Sequence, residues 1–100
     1  MKPDLRVTIA GVEFANPIMT ASGCCGYGEE LSRIFPLSRL GALVTKSVTR
    51  QPRLGHPPPR TAEASSGMLN AIGLANVGID RFIAEKIPFF TKQKDRKSVV

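Results

Sequence analysis

Ile18-Met-Thr-Ala-Ser-Gly-Cys-Cys-Gly-Tyr-Gly-Glu-Glu-Leu-Ser-Arg-Ile-Phe-Pro36, followed after Leu40-Gly41 by Ala42-Leu-Val-Thr-Lys-Ser47, reads as strand, turn, helix and strand. The run 18–22 is largely apolar, as expected of a parallel strand buried on both faces. Residues 23–28 make a glycine-rich turn. Glu29 and Glu30 then open a helix at the end where its dipole favours acidic groups. Leu31, Ile34 and Phe35 form the apolar stripe, and Pro36 stops the helix. Ala42 to Thr45 is a second buried strand, with Lys46 and Ser47 at its C-terminal end. About 25 residues separate the two strand starts, the repeat of βα units that build a parallel sheet.

Upstream, Leu5-Arg-Val-Thr-Ile9 and Val12-Glu-Phe14 alternate apolar and polar residues around Ala10-Gly11, predicting a hairpin with one face buried. Downstream, the Pro-rich segment 51–60 is a stiff extended loop. Thr61-Ala-Glu63 and Met68-Leu-Asn-Ala-Ile72 are expected to pair as an excursion outside the main sheet. From Gly78 a helix places Ile79, Phe82, Ile83 and Ile87 on one face, and Pro88 should kink or restart it. Lys97-Ser-Val-Val100 looks like the start of a third buried strand. The expected domain is therefore 1–100 as an incomplete α/β unit that ends within that strand. As an isolated piece it is expected to be molten or aggregated.

With 42% hydrophobic residues the composition is that of a globular chain. There is no apolar run of the roughly 18 residues needed to span a bilayer, and no signal-peptide core, so a cytoplasmic location is the default. Cys24 and Cys25 are adjacent and have no second pair, which argues for free thiols and against a metal site. Small apolar packing is favoured over redox chemistry for them. The net charge of +6 gathers in 50–60 and 86–97. The cluster 50–60 has no aromatic residue and 86–97 only the adjacent Phe89 and Phe90, without the interleaving that stacks on bases, so solvated faces or attraction for anionic ligands explain it better than nucleic acid.

Lys46 stands where α/β folds place their sites, at the end of a parallel strand, although a lysine reaching solvent fits equally. Ser22-Gly23 occupies the matching place after the first strand and lets a flat ring approach, or is simply a tight turn. The glycines of 23–28 are in the wrong order for a dinucleotide fingerprint. His56 reads as an exposed loop residue. The stretch 67–80 interrupts apolar residues with Asn70, Asn76 and three glycines. On spacing alone it is a strand, loop and helix start; as a rim above the strand ends, it can hold a small polar ligand.

Ala21-Ser-Gly23, Thr45-Lys-Ser47, Pro57-Pro-Pro-Arg60 and Met68-Leu-Asn-Ala-Ile-Gly-Leu74, in this order, resemble the dihydroorotate dehydrogenase family, and within it the class 1B catalytic subunit. The resemblance covers essentially all 100 residues and implies the first third of a (β/α)8 TIM barrel preceded by a β-hairpin. It implies FMN across the strand ends, lined by Ala21, Ser22, Gly23, Lys46 and Ser47. Lys46 and Asn70 would meet the pyrimidine, and the backbone of Ala71, Ile72, Gly73 and Leu74 would receive its carboxylate; Asn76 is left as a turn residue. The implied reaction oxidises dihydroorotate to orotate, with a cysteine base beyond Val100, so the segment by itself would be inert. Electrons would pass to NAD through a partner subunit carrying FAD and a 2Fe-2S cluster, in a heterotetramer built on a homodimer of catalytic subunits. Cys24-Cys25 departs from the Thr-Phe common in relatives. The rivals are another FMN barrel, such as a dihydropyrimidine dehydrogenase domain, and a basic non-enzymatic binding module.

Overall fold

The computed structural model describes residues 1–93 and the backbone of Lys97–Val99. The chain opens on an antiparallel hairpin, β1 (Val7–Ile9) and β2 (Val12–Phe14), with Val7 opposite Phe14 and Ile9 opposite Val12. Ala10 and Gly11 hold φ angles of 50° and 77°, the left-handed pair that matches the twist of a tight hairpin. Cross-strand partners share a face, so Val7, Ile9, Val12 and Phe14 line up as the alternation predicts. Phe14 is buried, whereas Ile9 and Val12 remain exposed. Only one end of the apolar face is covered.

Residues 18–22 run alongside β3 (Ala42–Val44) in parallel, but they make only one bridge to it, Met19 to Ala42. The Gly41 N–H donates to the Ile18 carbonyl at 2.8 Å, and side-chain hydroxyls continue the pairing beyond. The expectation that both faces of 18–22 are buried is corrected: Ile18 is 61% exposed and Met19 40%. In contrast, Ala42 and Leu43 are buried as expected, and Thr45 just after them is 1% exposed. On the other side of β3, β6 (Lys97–Val99) pairs in parallel, with Ala42 opposite Lys97 and Val44 opposite Val99. Three parallel segments thus lie side by side in chain order. Val100, assigned to the third strand, is outside the described residues.

The first crossover contains α1 (Glu29–Ser32) and a 3-10 turn, Leu37–Arg39. The helix is shorter than the sequence predicts. Pro36 has no N–H, and its ring would meet the Ser32 carbonyl in a continued helix. Ile34 therefore swings outward, 84% exposed, and Leu37 fills the core in its place. The crossover lies close against β3: a Cβ on Gly28 would stand 2.7 Å from Leu43 Cδ1.

The second crossover contains β4 (Thr61–Ala64) and β5 (Gly67–Asn70), an antiparallel hairpin that stands apart from the sheet with every residue exposed. That is the expected excursion. After Gly78 come α2 (Ile79–Arg81), a π-helical turn (Phe82–Lys86) and α3 (Ile87–Thr91). Pro88 accounts for the irregularity, because it cannot donate to the Ala84 carbonyl, and a widened turn relieves the collision of its ring. Phe82 is buried between Tyr27 and Phe90, with ring centroids 5.8 and 6.1 Å away. Burying such a ring contributes about 2–3 kcal/mol. Ile79, Ile83 and Ile87 share the helix but remain partly exposed. Lys86 ties the two crossovers together, donating to Glu29 Oε1 at 2.7 Å while its Nζ lies 5.3 Å from the Tyr27 ring centroid.

Candidate functional site

The C-terminal ends of the first two parallel segments open side by side. Ser22 donates its hydroxyl to the Thr45 carbonyl at 3.0 Å, and the Lys46 N–H donates to Gly26 at 2.9 Å. These bonds hold Ala21-Ser-Gly23 next to Lys46-Ser47. Ala21, Ser22, Gly23 and Ser47 are exposed, and Lys46 is half-buried. A Cβ added to Gly23 would meet nothing within 4 Å, so a planar group has open access to the backbone here. The Thr45 hydroxyl, in contrast, is buried with no hydrogen-bond partner among the described residues.

A second wall comes from two loop segments zipped together. Ala71 donates to the Arg60 carbonyl at 2.8 Å, His56 donates to Ile72 at 3.0 Å, and Arg53 and Asn76 exchange backbone bonds of 3.0 and 2.9 Å. The Arg60 guanidinium braces the Pro-rich side by donating to His56 at 2.6 Å and Leu54 at 2.9 Å. The exposed His56 is therefore a backbone partner of this wall, and among the described residues no carboxylate pairs with it.

Ile72, Gly73 and Leu74 make a tight bend on this wall. Gly73 has φ 80°, and a Cβ there would lie 2.7 Å from the His56 nitrogen, so only glycine fits. Leu74 also has positive φ, 54°, which costs a leucine about 1–2 kcal/mol. Strain of this kind gathers where a backbone is held for a ligand. Because the Ala71 N–H is engaged by Arg60, the groups left to receive an anion are those of Ile72, Gly73 and Leu74, whose N–H groups have no bond among the described residues. Successive free N–H groups in a bend form an anion-binding concavity.

Two cavities flank the bend. One, of about 470 Å³, is lined by Tyr27, Lys46, Arg53, Asn76 and Arg81, with neighbouring loop residues. The other, of about 210 Å³, is lined by Arg60, Asn70 and Ala71 with their neighbours. Lys46 and Asn70 thus face separate cavities on either side of the bend. Arg81 is paired with Glu85 at 3.1 Å, and this neighbour holds the Glu85 carboxyl below the usual carboxylate range. Among the described residues no carboxylate pairs with Lys46 or Arg53, so the larger cavity carries uncompensated positive charge.

Arg53 and Arg60 are the lining residues that the sequence reading missed, since both were counted within a solvated basic cluster. Their signal was the mixture of arginines with Pro and Gly in 51–60, a loop stiff enough to aim them. Cys24 and Cys25 are free thiols as expected, but Cys24 is exposed, which corrects the packing role proposed for it. It follows Gly23 on the open turn, where nothing among the described residues buries it. Among the described residues no cluster of His, Cys, Asp or Glu is fit to hold a metal, and no helix is long and apolar enough to cross a membrane.

Comparison with known proteins agrees with this architecture. The dihydroorotate dehydrogenase family pattern matches residues 4–100. The chain is 55% identical over 92 residues to the dihydroorotate dehydrogenase B (NAD(+)) catalytic subunit of Pelobacter propionicus, covering 92% of this chain and 30% of that one. It is 56% identical over 88 residues to the same subunit of Geobacter sulfurreducens, covering 88% and 29% respectively. For the subunit of Latilactobacillus sakei the identity is 53% over 93 residues, 93% of this chain and 30% of the relative. The chain thus spans about 30% of the length of these relatives. Among solved structures, the dihydroorotate dehydrogenase of Eimeria tenella in complex with ferulenol superposes with a TM-score of 0.65 at 22% identity, over 99% of this chain and 28% of that one. The fold is accordingly the N-terminal portion of a (β/α)8 barrel, preceded by a β-hairpin. From residue 4 onward, the chain belongs to the dihydroorotate dehydrogenase family.

Proposed function

We propose that these residues form the first third of an FMN-binding barrel domain that oxidises dihydroorotate to orotate in pyrimidine biosynthesis. The observation that carries this reading is the strained Ile72–Leu74 bend, whose N–H groups have no partner among the described residues, followed directly by Ala75, Asn76 and Val77, which line one cavity with the half-buried Lys46. A carboxylate-bearing, electron-poor ring needs both a cation and an oriented anion cradle. The small, exposed Ala21, Ser22 and Gly23 and the neighbouring Ser47 fit a flat isoalloxazine ring, because no atom within 4 Å obstructs a Cβ at Gly23. Hydride acceptance is the chemistry that FMN supplies when bound. The residues of this chain bind and orient: Lys46 stabilises negative charge, Asn70 offers an amide to the pyrimidine, and Ile72, Gly73 and Leu74 take the carboxylate. The proton-abstracting cysteine of this reading lies beyond Val100, and the 100-residue segment alone is inactive.

The relatives' description as catalytic subunits of an NAD(+) type supports a partner that transfers electrons to NAD. In the class 1B reading that partner carries FAD and a 2Fe-2S cluster, the assembly is a heterotetramer around a homodimer, and it is cytoplasmic. The test is to purify the full-length protein that carries this segment. Flavin absorbance together with orotate formation from dihydroorotate is expected. A protein that holds no flavin and leaves dihydroorotate unchanged overturns the proposal.

A further inference from the structure

We propose that Asn76 is a positioning residue whose amide fixes the Ile72–Leu74 bend relative to the Lys46 strand end, setting affinity for a carboxylate-bearing ligand without touching it. The inference rests on the carboxylate reading of that bend. Asn76 is buried, and every hydrogen-bonding position of its side chain is occupied. Oδ1 accepts the Thr49 N–H at 3.1 Å and the Gly78 N–H at 2.9 Å. Nδ2 donates to Thr49 Oγ1 at 2.9 Å and to the Leu74 carbonyl at 2.8 Å. The amide orientation is thereby determined, because the reversed amide would set donors against two N–H groups.

The bonds join parts that are 27 residues apart in sequence. Thr49 stands three residues after Lys46, and its own hydroxyl closes onto the Gln51 carbonyl at 2.5 Å, so the segment leaving the strand is held before it reaches Asn76. On the other side, the bond to the Leu74 carbonyl grips the residue whose left-handed backbone shapes the bend. A residue needed only for a local turn would require the bonds to Leu74 and Gly78, each two residues away, and not those to Thr49. The link to Thr49 instead ties Asn76, which lines the cavity with Lys46 and Arg53, to the segment that leaves the Lys46 strand end. Loss of the Thr49 link frees the bend from the segment that follows Lys46 and lets it relax to ordinary backbone angles.

The experiment uses the full-length protein with its flavin and titrates orotate, with flavin content and Tm measured on the same samples. Thr49→Val keeps the side-chain volume and removes the hydroxyl; Asn76→Ala removes the amide. Each is expected to raise the orotate Kd and the dihydroorotate KM by about tenfold, the effect of one shared hydrogen-bonded link. With saturating substrate kcat should stay within about twofold of wild type. The double variant should be little worse than the weaker single, since both break one link. Thr49→Ser restores the hydroxyl and should restore affinity, and a comparably destabilising Phe14→Leu in the distant hairpin should lower Tm but leave Kd alone. An unchanged Kd in Thr49→Val, or an equal rise in Phe14→Leu, overturns the proposal. Should wild type itself bind no orotate, the carboxylate reading falls and this inference with it; intact wild-type binding with unaffected variants sinks only the inference.

Discussion

The Thr20 hydroxyl takes the place of a backbone partner for Val44, accepting its N–H at 2.8 Å and donating to its carbonyl at 3.2 Å. One side chain therefore serves both backbone groups of a strand residue and fastens 18–22 to β3 where the ladder stops after Met19. Ser22 does the same in part for Thr45. The separation of the two strand ends under Ala21-Ser-Gly23 and Lys46 is set by hydroxyls. Thr20→Val, nearly equal in volume, leaves both Val44 groups without that partner. It should lower the stability of the full-length protein by about 1–3 kcal/mol, read as a fall in the denaturation midpoint without a change in denaturant slope.

Lys46 is the one half-buried cation of the larger cavity with no carboxylate against it among the described residues. Lys46→Ala is expected to weaken orotate binding by about 10- to 100-fold, the magnitude of a charge-assisted hydrogen bond. It should slow flavin reduction by dihydroorotate as well. Stopped-flow spectroscopy and orotate titration report the two effects separately; wild-type values in both would remove Lys46 from the site.

Gly73→Ala should be the most damaging small change in the bend. The new Cβ would press on the His56 nitrogen at 2.7 Å while the backbone remains at φ 80°. The cost is about 1–3 kcal/mol of local strain, relieved by opening the zip between 53–60 and 70–76. Orotate affinity should fall while flavin content is retained, because Ala21, Ser22 and Gly23 lie on the other wall.

Near the N-terminus, bonding from the Arg6 side chain and then its backbone holds the Asp4 carboxyl down at about 2. A depressed folded-state pKa contributes stability above the unfolded value, and that contribution is lost as pH falls through the folded one. Both groups are fully exposed, so the expected change is in titration and not in melting. An NMR titration of Asp4 should show its midpoint near 2, moving up toward 3.8 in Arg6→Gln.

The polypeptide 1–100 made alone exposes Ile18, Met19, Ile34, Leu54, Met68 and Leu69, more apolar surface than a small soluble unit tolerates. It should bind a hydrophobic dye and melt without a sharp transition. A cooperative two-state melt of the monomer would contradict this expectation.

How much was legible in the sequence differs between residues for physical reasons. The hairpin could be read because Ala10-Gly11 and the alternation around it are local. β3 could be read because an apolar run between Gly41 and Lys46 has few other uses, and Pro88 announced its break. Residues 18–22 were harder, because replacement of a backbone ladder by Thr20 is decided by a partner 24 residues away. Asn76 was reduced to a turn residue for the same reason: its link to Thr49 has no counterpart in nearby sequence. Ile34 kept its place in the helical period, and the early end of α1 then turned it to solvent. On the site, Gly73 was legible as a bend, whereas the use of Arg60 to brace it depended on how the Pro-rich loop folds back.

The widened turn at Phe82–Lys86 also acts as a phase corrector for the aromatic side chains. A regular α-helix advances about 100° per residue, which would leave Phe90 about 80° round the axis from Phe82. The slower winding of the π segment removes much of that offset and brings the two rings within 6.1 Å. Tyr27, Phe82, Phe90 and Phe89 consequently form an unbroken aromatic column from the glycine-rich turn to the end of α3. Straightening 82–86 into an ordinary α-helix at unchanged length would put Phe90 out of phase and cut the column in two.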